Sequence, residues 1–336
     1  MPLFFLLSGF GSWYALEVRS AGKYLWDRVK RLLVPYYFVG FFLLIPPQYY
    51  WEQLTHHRFS GSFLEFIPHY FHFPREPQLM GIHFGFSPHF LSYWSGHLWF
   101  LHYLFLISFI TLPIMVYLKT SPGGRLIERL AGICSQKGGI FLPAIPIAVV
   151  QMSLRAEFPH YLSWADFFYW MAFFLIGYIF AADDRFNQAI ERNGRMSLTM
   201  GISFSMLLGF LLFELGYFGS WEKQPRYDAG YLAYQALRSL TTWCWITLWL
   251  FCGSKVFNFR NSISGYCQEA VLPFYILHQT IILAVGFWVI RWDLSILVKY
   301  TVICAISLLL IMAVYEGAVK RLMSLRFLFG LQEREK

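Results

Sequence analysis

Four groups of residues in this chain could do chemistry. His278 stands in LPFYILHQTII with Gln279 beside it, about ten residues into an apolar run. An imidazole there can move a proton or position a substrate, or it can simply hydrogen-bond a neighbouring helix as a neutral ring. His97 and His102, in SGHLWFLHYLF, head another apolar run five residues apart, a spacing that does not put them on quite the same helical face. DRVKRLLVPYY places Arg28 and Arg31 three residues apart, on one helical face. Arginine forks match phosphate oxygens, so the pair could clamp a phosphorylated cytosolic ligand; ordinary anchoring or contact with anionic lipid is the alternative. Arg238, in YLAYQALRSL, could contact substrate or form a structural ion pair with Glu214 or Asp166.

The elements that must position these groups are read from composition. The 336 residues are 57% hydrophobic, 21% aromatic and only 14% charged, against roughly 25% charged in soluble domains, so this is a membrane protein. Apolar stretches run from end to end with no long linker, which implies one integral membrane domain over 1–336. Nine stretches approach the length of a transmembrane helix: 1–16, 32–46, 97–118, 139–154, 163–181, 197–218, 231–253, 268–290 and 294–319. They are continuously apolar rather than alternating, which excludes a barrel. The predicted fold is therefore an all-α, polytopic transmembrane helical bundle of about nine spans.

Charge sets the expected sidedness. Connections 17–31, 119–138, 182–196, 254–267 and the tail after 319 hold nineteen Lys and Arg, whereas 47–96, 155–162, 219–230 and 291–293 hold six. Cytoplasmic segments carry the excess, so the C-terminus is expected inside and the Met1 end outside, with 47–96 as an extracytoplasmic loop. The formal net charge of +8 is explained by this orientation rather than by nucleic-acid binding. Lys299, within a span, is expected to extend its amine outward. None of the five cysteines lies in an outside loop, and no disulfide is expected.

Other chemistry is missing from the pattern. There is no GxxxxGK[ST] loop, no HExxH and no GxSxG elbow. Seven of the ten histidines lie between 56 and 97, but their spacing fits no metal site, so no metal is expected. Aromatic side chains interleaved with His, Arg and Glu in that segment suit a lid that stacks on sugar rings.

Taken in order, FFLLSGF (Phe4, Phe5, Ser8, Gly9), RVKR followed by Pro35, HLWFL (Trp99, Phe100, Leu101) and FYILHQ with His278 resemble the acyltransferase 3 family of integral membrane acyltransferases. SGHLWFL, FFLIGYIF and the ending YEGAVKRLMSLRFLFG with Glu316 look most like its glucan succinyltransferase branch, the glucans biosynthesis protein C type. The resemblance implies transfer of an acyl group, succinyl or acetyl, from cytosolic acyl-CoA to a hydroxyl of an extracytoplasmic glycan or glycolipid, in a bacterial inner membrane. Acyl-CoA is then a cosubstrate, with no permanently bound cofactor. The family pattern has ten spans, and its first carries a histidine thought to act in catalysis. That span precedes FFLLSG and is missing from this sequence, which is the expectation for a late start or a truncated relative. On this reading Arg28 and Arg31 hold the acyl-CoA phosphates, His278 lines the path, and Phe5, Ser8, Gly9, His97, Trp99, Arg238 and Glu316 support the site. The alternatives are a glycan or lipid transporter or flippase, and an inactive truncated relative; no internal repeat favours transport.

Overall fold

The computed structural model describes residues 1–72, 96–223, 225–256 and 261–331, and every regular element among them is helical. In chain order these are α1 (Pro2–Val18), α2 (Ala21–Thr55), α3 (Phe63–His72), α4 (Gly96–Ile110), α5 (Leu112–Leu118), α6 (Ser121–Cys134), α7 (Gly139–Leu154), α8 (Trp164–Phe180), α9 (Asp184–Glu214), α10 (Ala229–Val256), α11 (Ser262–Val289), α12 (Ile296–Val319) and α13 (Met323–Leu328). Each of the nine apolar stretches is helical, 97–118 being shared between α4 and α5. Among the described residues four helices, α2, α9, α11 and α12, are long and apolar enough to cross a membrane, and up to six spans result if the bent pairs α4–α5 and α6–α7 each count as one. The stretches 1–16 and 163–181 lie on helices of 17 residues, α1 and α8. Polar Gln235, Arg238, Ser239 and Thr241 dilute the apolar character of the 28-residue α10.

Two expected connections are themselves helical. Segment 17–31 is not an open loop, because α2 begins at Ala21 and runs on to Thr55. Pro35 has no N–H to give to the Arg31 carbonyl, and the ladder shifts to π-type turns over Val29–Leu33 and Pro35–Leu44. Segment 119–138 holds α6, whose Thr120 side chain accepts from the Gly123 N–H at 3.5 Å and caps its start. The first part of 47–96 also folds: Phe66 and Tyr70 of α3 bury against Ile45, with Tyr49, Tyr50 and Phe59 packed around them.

The chain divides into two compact units. The first takes α1 and everything from Leu106 to the end of α10. Its tightest joint is the crossing of α1 and α8, where two glycines reciprocate. A Cβ on Gly9 would stand 1.9 Å from the Phe174 carbonyl oxygen, and a Cβ on Gly177 would stand 1.9 Å from that of Leu6. Small residues let helix backbones approach where lipid supplies no hydrophobic drive, and both FFLLSGF and FFLIGYIF contribute theirs here. Beside the crossing, Phe5 stacks on Trp170 at 5.3 Å, and the Tyr178 hydroxyl donates to the Met115 carbonyl at 2.9 Å.

The second unit comprises α2 from Leu25, α3, α4 as far as Phe105, and α11 to α13. The Thr280 hydroxyl of α11 donates to the Leu44 carbonyl at 3.1 Å, and Trp51 packs on Phe287 at 4.9 Å. Lys299 does not simply extend into solvent: its amine donates to the Ile290 carbonyl at 2.9 Å, capping the C-terminal end of α11 with a positive charge.

The glycine crossing predicts a sharp contrast between neighbours. Gly9→Val or Gly177→Val must force the paired backbones apart, and either should lower thermal stability by more than the roughly 1–3 kcal/mol of ordinary overpacking. Gly11→Ala, with nothing within 4 Å of the new methyl, should leave stability unchanged or raised by up to about 1 kcal/mol. Thermal unfolding of the detergent-solubilised chain compares the three, and equal effects would mean that the crossing is not a fixed joint.

Candidate functional site

Three helices of the second unit bring their polar side chains to one place. Gly96, at φ +46, opens α4 in the left-handed region, and a Cβ there would meet the Gln48 amide at 3.3 Å. Glycine therefore serves both the turn and the close approach of Gln48 from α2. His97 follows at once. Its Nδ1 lies 3.1 Å from the Gln48 side-chain oxygen, its Nε2 lies 3.1 Å from the Ile276 carbonyl, and its own carbonyl accepts from the Tyr275 hydroxyl. His278, one turn further along α11, has its ring centroid 5.0 Å from that of His97 at an interplanar angle of 84°. Both imidazoles are half-buried, and Gln48 is buried.

Hydrogen-bond chemistry assigns the protons. A carbonyl oxygen can only accept, so His97 must donate to Ile276 through Nε2–H. In the neutral ring Nδ1 is then an acceptor, which is satisfied when the Gln48 amide turns its NH2 toward it; amide oxygen and nitrogen are interchangeable in placement. His278 carries the opposite tautomer. Its Nδ1 lies 2.6 Å from the Tyr275 carbonyl and must hold the proton, leaving the lone pair on Nε2. The geometry thus sets two histidines side by side, one with both nitrogens engaged and one with a basic nitrogen held in a defined direction. Pro273 lies one turn before this group within α11 and removes the N–H that would bond the Glu269 carbonyl.

The histidine that joins His97 is His278, not His102. Five residues rotate a side chain about 140° around an α-helix, and His102 is buried elsewhere, with its ring 5.3 Å from that of Tyr36. Arg28 closes the first α-turns of α2 half-buried, and Arg31 is exposed in the π-turn that follows; beside them Lys30 pairs with Asp27 at 3.2 Å. The C-terminal segment packs here too. A Cβ on Gly330, at φ +70, would meet the Arg31 carbonyl oxygen at 2.7 Å, while Arg326 reaches Glu269 at 2.7 Å.

The remaining residues singled out in the sequence make packing and pairing contacts. Phe5 and Gly9 build the α1–α8 crossing, and the Ser8 carbonyl accepts from the Ser12 hydroxyl at 2.6 Å. Trp99 is buried with its ring 5.7 Å from that of Tyr103. Glu316 pairs with Lys320 at 2.7 Å one helical turn on. Arg238 pairs with Glu222 at 3.0 Å, not with Glu214 or with Asp166, which holds Arg155 instead. Glu222 lies in a π-turn at Gly219–Lys223, within a segment that the charge pattern marks only as an open connection. Sequence reasoning missed Gln48 and Tyr275; the signals were a lone amide after two prolines in IPPQYY and a tyrosine three residues before the histidine in FYILHQ. Among the described residues no group of three or more His, Cys, Asp or Glu could hold a metal ion, and His83 and His89 lie outside them.

These segments are also where the chain meets known proteins. The sequence profile of the acyltransferase 3 family, described as an acyltransferase domain, matches residues 1–316, and the chain belongs to that family. Together with its long apolar helices, this makes it a multi-pass membrane acyltransferase. No curated protein and no solved structure matches it.

Removing the amide that partners His97 should be felt as stability. Gln48→Leu leaves the Nδ1 of His97 without its partner, at a cost of about 1–3 kcal/mol. Thermal unfolding of the purified chain measures it, and an unchanged midpoint would mean that Gln48 does not hold the ring.

Proposed function

We propose that this membrane acyltransferase moves an acyl group from cytosolic acyl-CoA to a hydroxyl of an extracytoplasmic glycan or glycolipid. The observation that carries the reading is the directed Nε2 lone pair of His278, beside His97, within a chain of the acyltransferase family. In the proposed step the acceptor oxygen adds to the thioester carbonyl while its proton passes to His278 Nε2. The C–S bond then breaks, the new ester leaves, and the proton goes to the departing thiolate to give free CoA. Water competes with the acceptor for the thioester, and a site among apolar helices limits its access.

Arg28 and Arg31 are assigned to the CoA phosphates. They stand on a segment that also carries Lys23 and Lys30, against a C-terminal segment with Lys320, Arg321 and Arg326. The charge pattern puts this end in the cytoplasm, where acyl-CoA is found. The branch resemblance directs the choice of acyl group and acceptor to succinyl and a periplasmic glucan of a bacterial inner membrane.

Proteoliposomes supplied with labelled acyl-CoA and acceptor test this, because an acyltransferase releases CoA thiol and a transporter or flippase does not. His278→Gln should lower kcat by about 10²–10⁴-fold with acyl-CoA affinity retained, and full activity in that variant would move the base to another residue. The Arg28→Ala, Arg31→Ala double variant should raise KM for acyl-CoA at least about tenfold, roughly the loss of one charge-assisted hydrogen bond. An unchanged KM would leave the two arginines as membrane anchors.

A further inference from the structure

Within the first unit, helix α6 joins two segments that expose apolar side chains. Ahead of it α5 exposes Ile114, Val116 and Tyr117, and behind it α7 exposes Leu142, Ile145 and Val149. On the neighbouring α9 every exposed residue from Asp184 to Arg195 is polar, and exposed apolar residues begin at Met196 and recur at Leu198 and Ile202. Such a change along one helix marks where headgroups give way to hydrocarbon. Arg192, one turn before Met196, donates to the Ser135 and Gln136 carbonyls at 2.5 and 3.1 Å, so the end of α6 is held at that level. The helix has 14 residues, about 21 Å and too short to cross a bilayer. It meets α7 at a bend of 120°, so it runs nearer along the membrane surface than across it.

The turn of an α-helix sorts the residues of α6 into strips. Gly123, Ile127, Ala131 and Cys134 are buried against the rest of the unit. Leu126, Leu130 and Ile133 form the strip beside them, with Leu126 and Ile133 exposed at 43% and 45%. Arg125 and Arg129 follow on the outer side of that strip, and Glu128 stands opposite it. An exposed apolar strip bordered by cations, with the acidic residue turned away, is the distribution of a helix that lies in a bilayer interface.

The other cations around α6 are already committed. Arg185 pairs with Asp183 and donates to the Glu128 carbonyl at 3.2 Å, Lys255 holds Glu191, and Lys119 faces Glu17 at 3.9 Å. Arg125 and Arg129 are exposed, and neither has a carboxylate partner among the described residues. Glycines clamp the helix at both ends. A Cβ on Gly123 would stand 2.3 Å from the Tyr117 carbonyl oxygen, and a Cβ on Gly139 would stand 2.2 Å from that of Ile133. The apolar strip and its two arginines are therefore presented in a fixed orientation.

We infer that α6 is an in-plane anchor on anionic phospholipid of the cytoplasmic leaflet. Leu126, Leu130 and Ile133 enter the edge of the hydrocarbon, and Arg125 and Arg129 hold headgroup phosphates. Arginine forks match those oxygens, and the charge pattern assigns 119–138 to the cytoplasmic side. Lipid is the occupant because the strip lies at the level where α9 turns apolar, with apolar segments entering and leaving the helix at its two ends. The inference is independent of the acyltransferase reading, since no residue of α6 is assigned to that site.

The test uses the full chain in phosphatidylcholine nanodiscs, with and without added phosphatidylglycerol. Benzoylphenylalanine placed at Leu126 or Ile133 should photo-crosslink to phospholipid acyl chains several-fold more than when placed at Glu128, as read by mass spectrometry. Phosphatidylglycerol should raise the parent's thermal midpoint by about 2–4 °C, and the Arg125→Gln, Arg129→Gln double variant should gain clearly less. Both side chains are exposed and glutamine is a good helix former, so in phosphatidylcholine alone the double variant should unfold with the parent. Equal crosslinking at all three positions, crosslinks to protein alone at Leu126 and Ile133, or an equal gain by variant and parent would overturn the anchor. So would the same gain produced by inorganic phosphate in phosphatidylcholine discs, which would make the arginines a site for free anion.

Discussion

A polar side chain on an apolar helix must find its partner on another helix, because lipid offers none, and this requirement shapes both units of the chain. His97 meets it twice, through Gln48 on α2 and the Ile276 carbonyl on α11. Those two bonds tie three helices together at the level of His278 and determine which nitrogen of His97 carries the proton. In the first unit the same demand is met by ion pairs. Arg155, largely buried, pairs with Asp166, and the more exposed Arg238 pairs with Glu222, so neither cation leaves net side-chain charge.

Backbone constraints position these groups as much as side-chain bonds do. Pro35 forces π-turns into α2, and the helix continues through them to bring Gln48 to the histidines. Pro273 interrupts the ladder of α11 just before Tyr275 and His278. Gly9 and Gly177 let α1 and α8 touch backbone to backbone, so Phe5 and Trp170 stack. The motif glycine in FFLLSGF thus serves the packing of this joint.

By itself the sequence determined the class of the protein. Composition and continuous apolar runs require membrane helices, and each of the nine stretches is helical because such residues can bury their backbone only in that form. The motifs, read in order, identified the family whose profile covers residues 1–316. Connections were less legible: 17–31 and 119–138 look polar in one dimension, yet their residues favour helix, and the helices run through them.

Tertiary structure alone decided which polar groups meet. His97 and His278 are more than half the chain apart in sequence and stand with ring centroids 5.0 Å apart, whereas His97 and His102, close in sequence, diverge around their helix. Arg238 could have paired with any acidic group near the outer ends of the helices, and only the fold of Gly219–Lys223 selects Glu222. Periodicity states which face of a helix is polar but not which helix it faces. That choice belongs to the close approaches allowed by Gly9, Gly96 and Gly177, whose geometry no local pattern records.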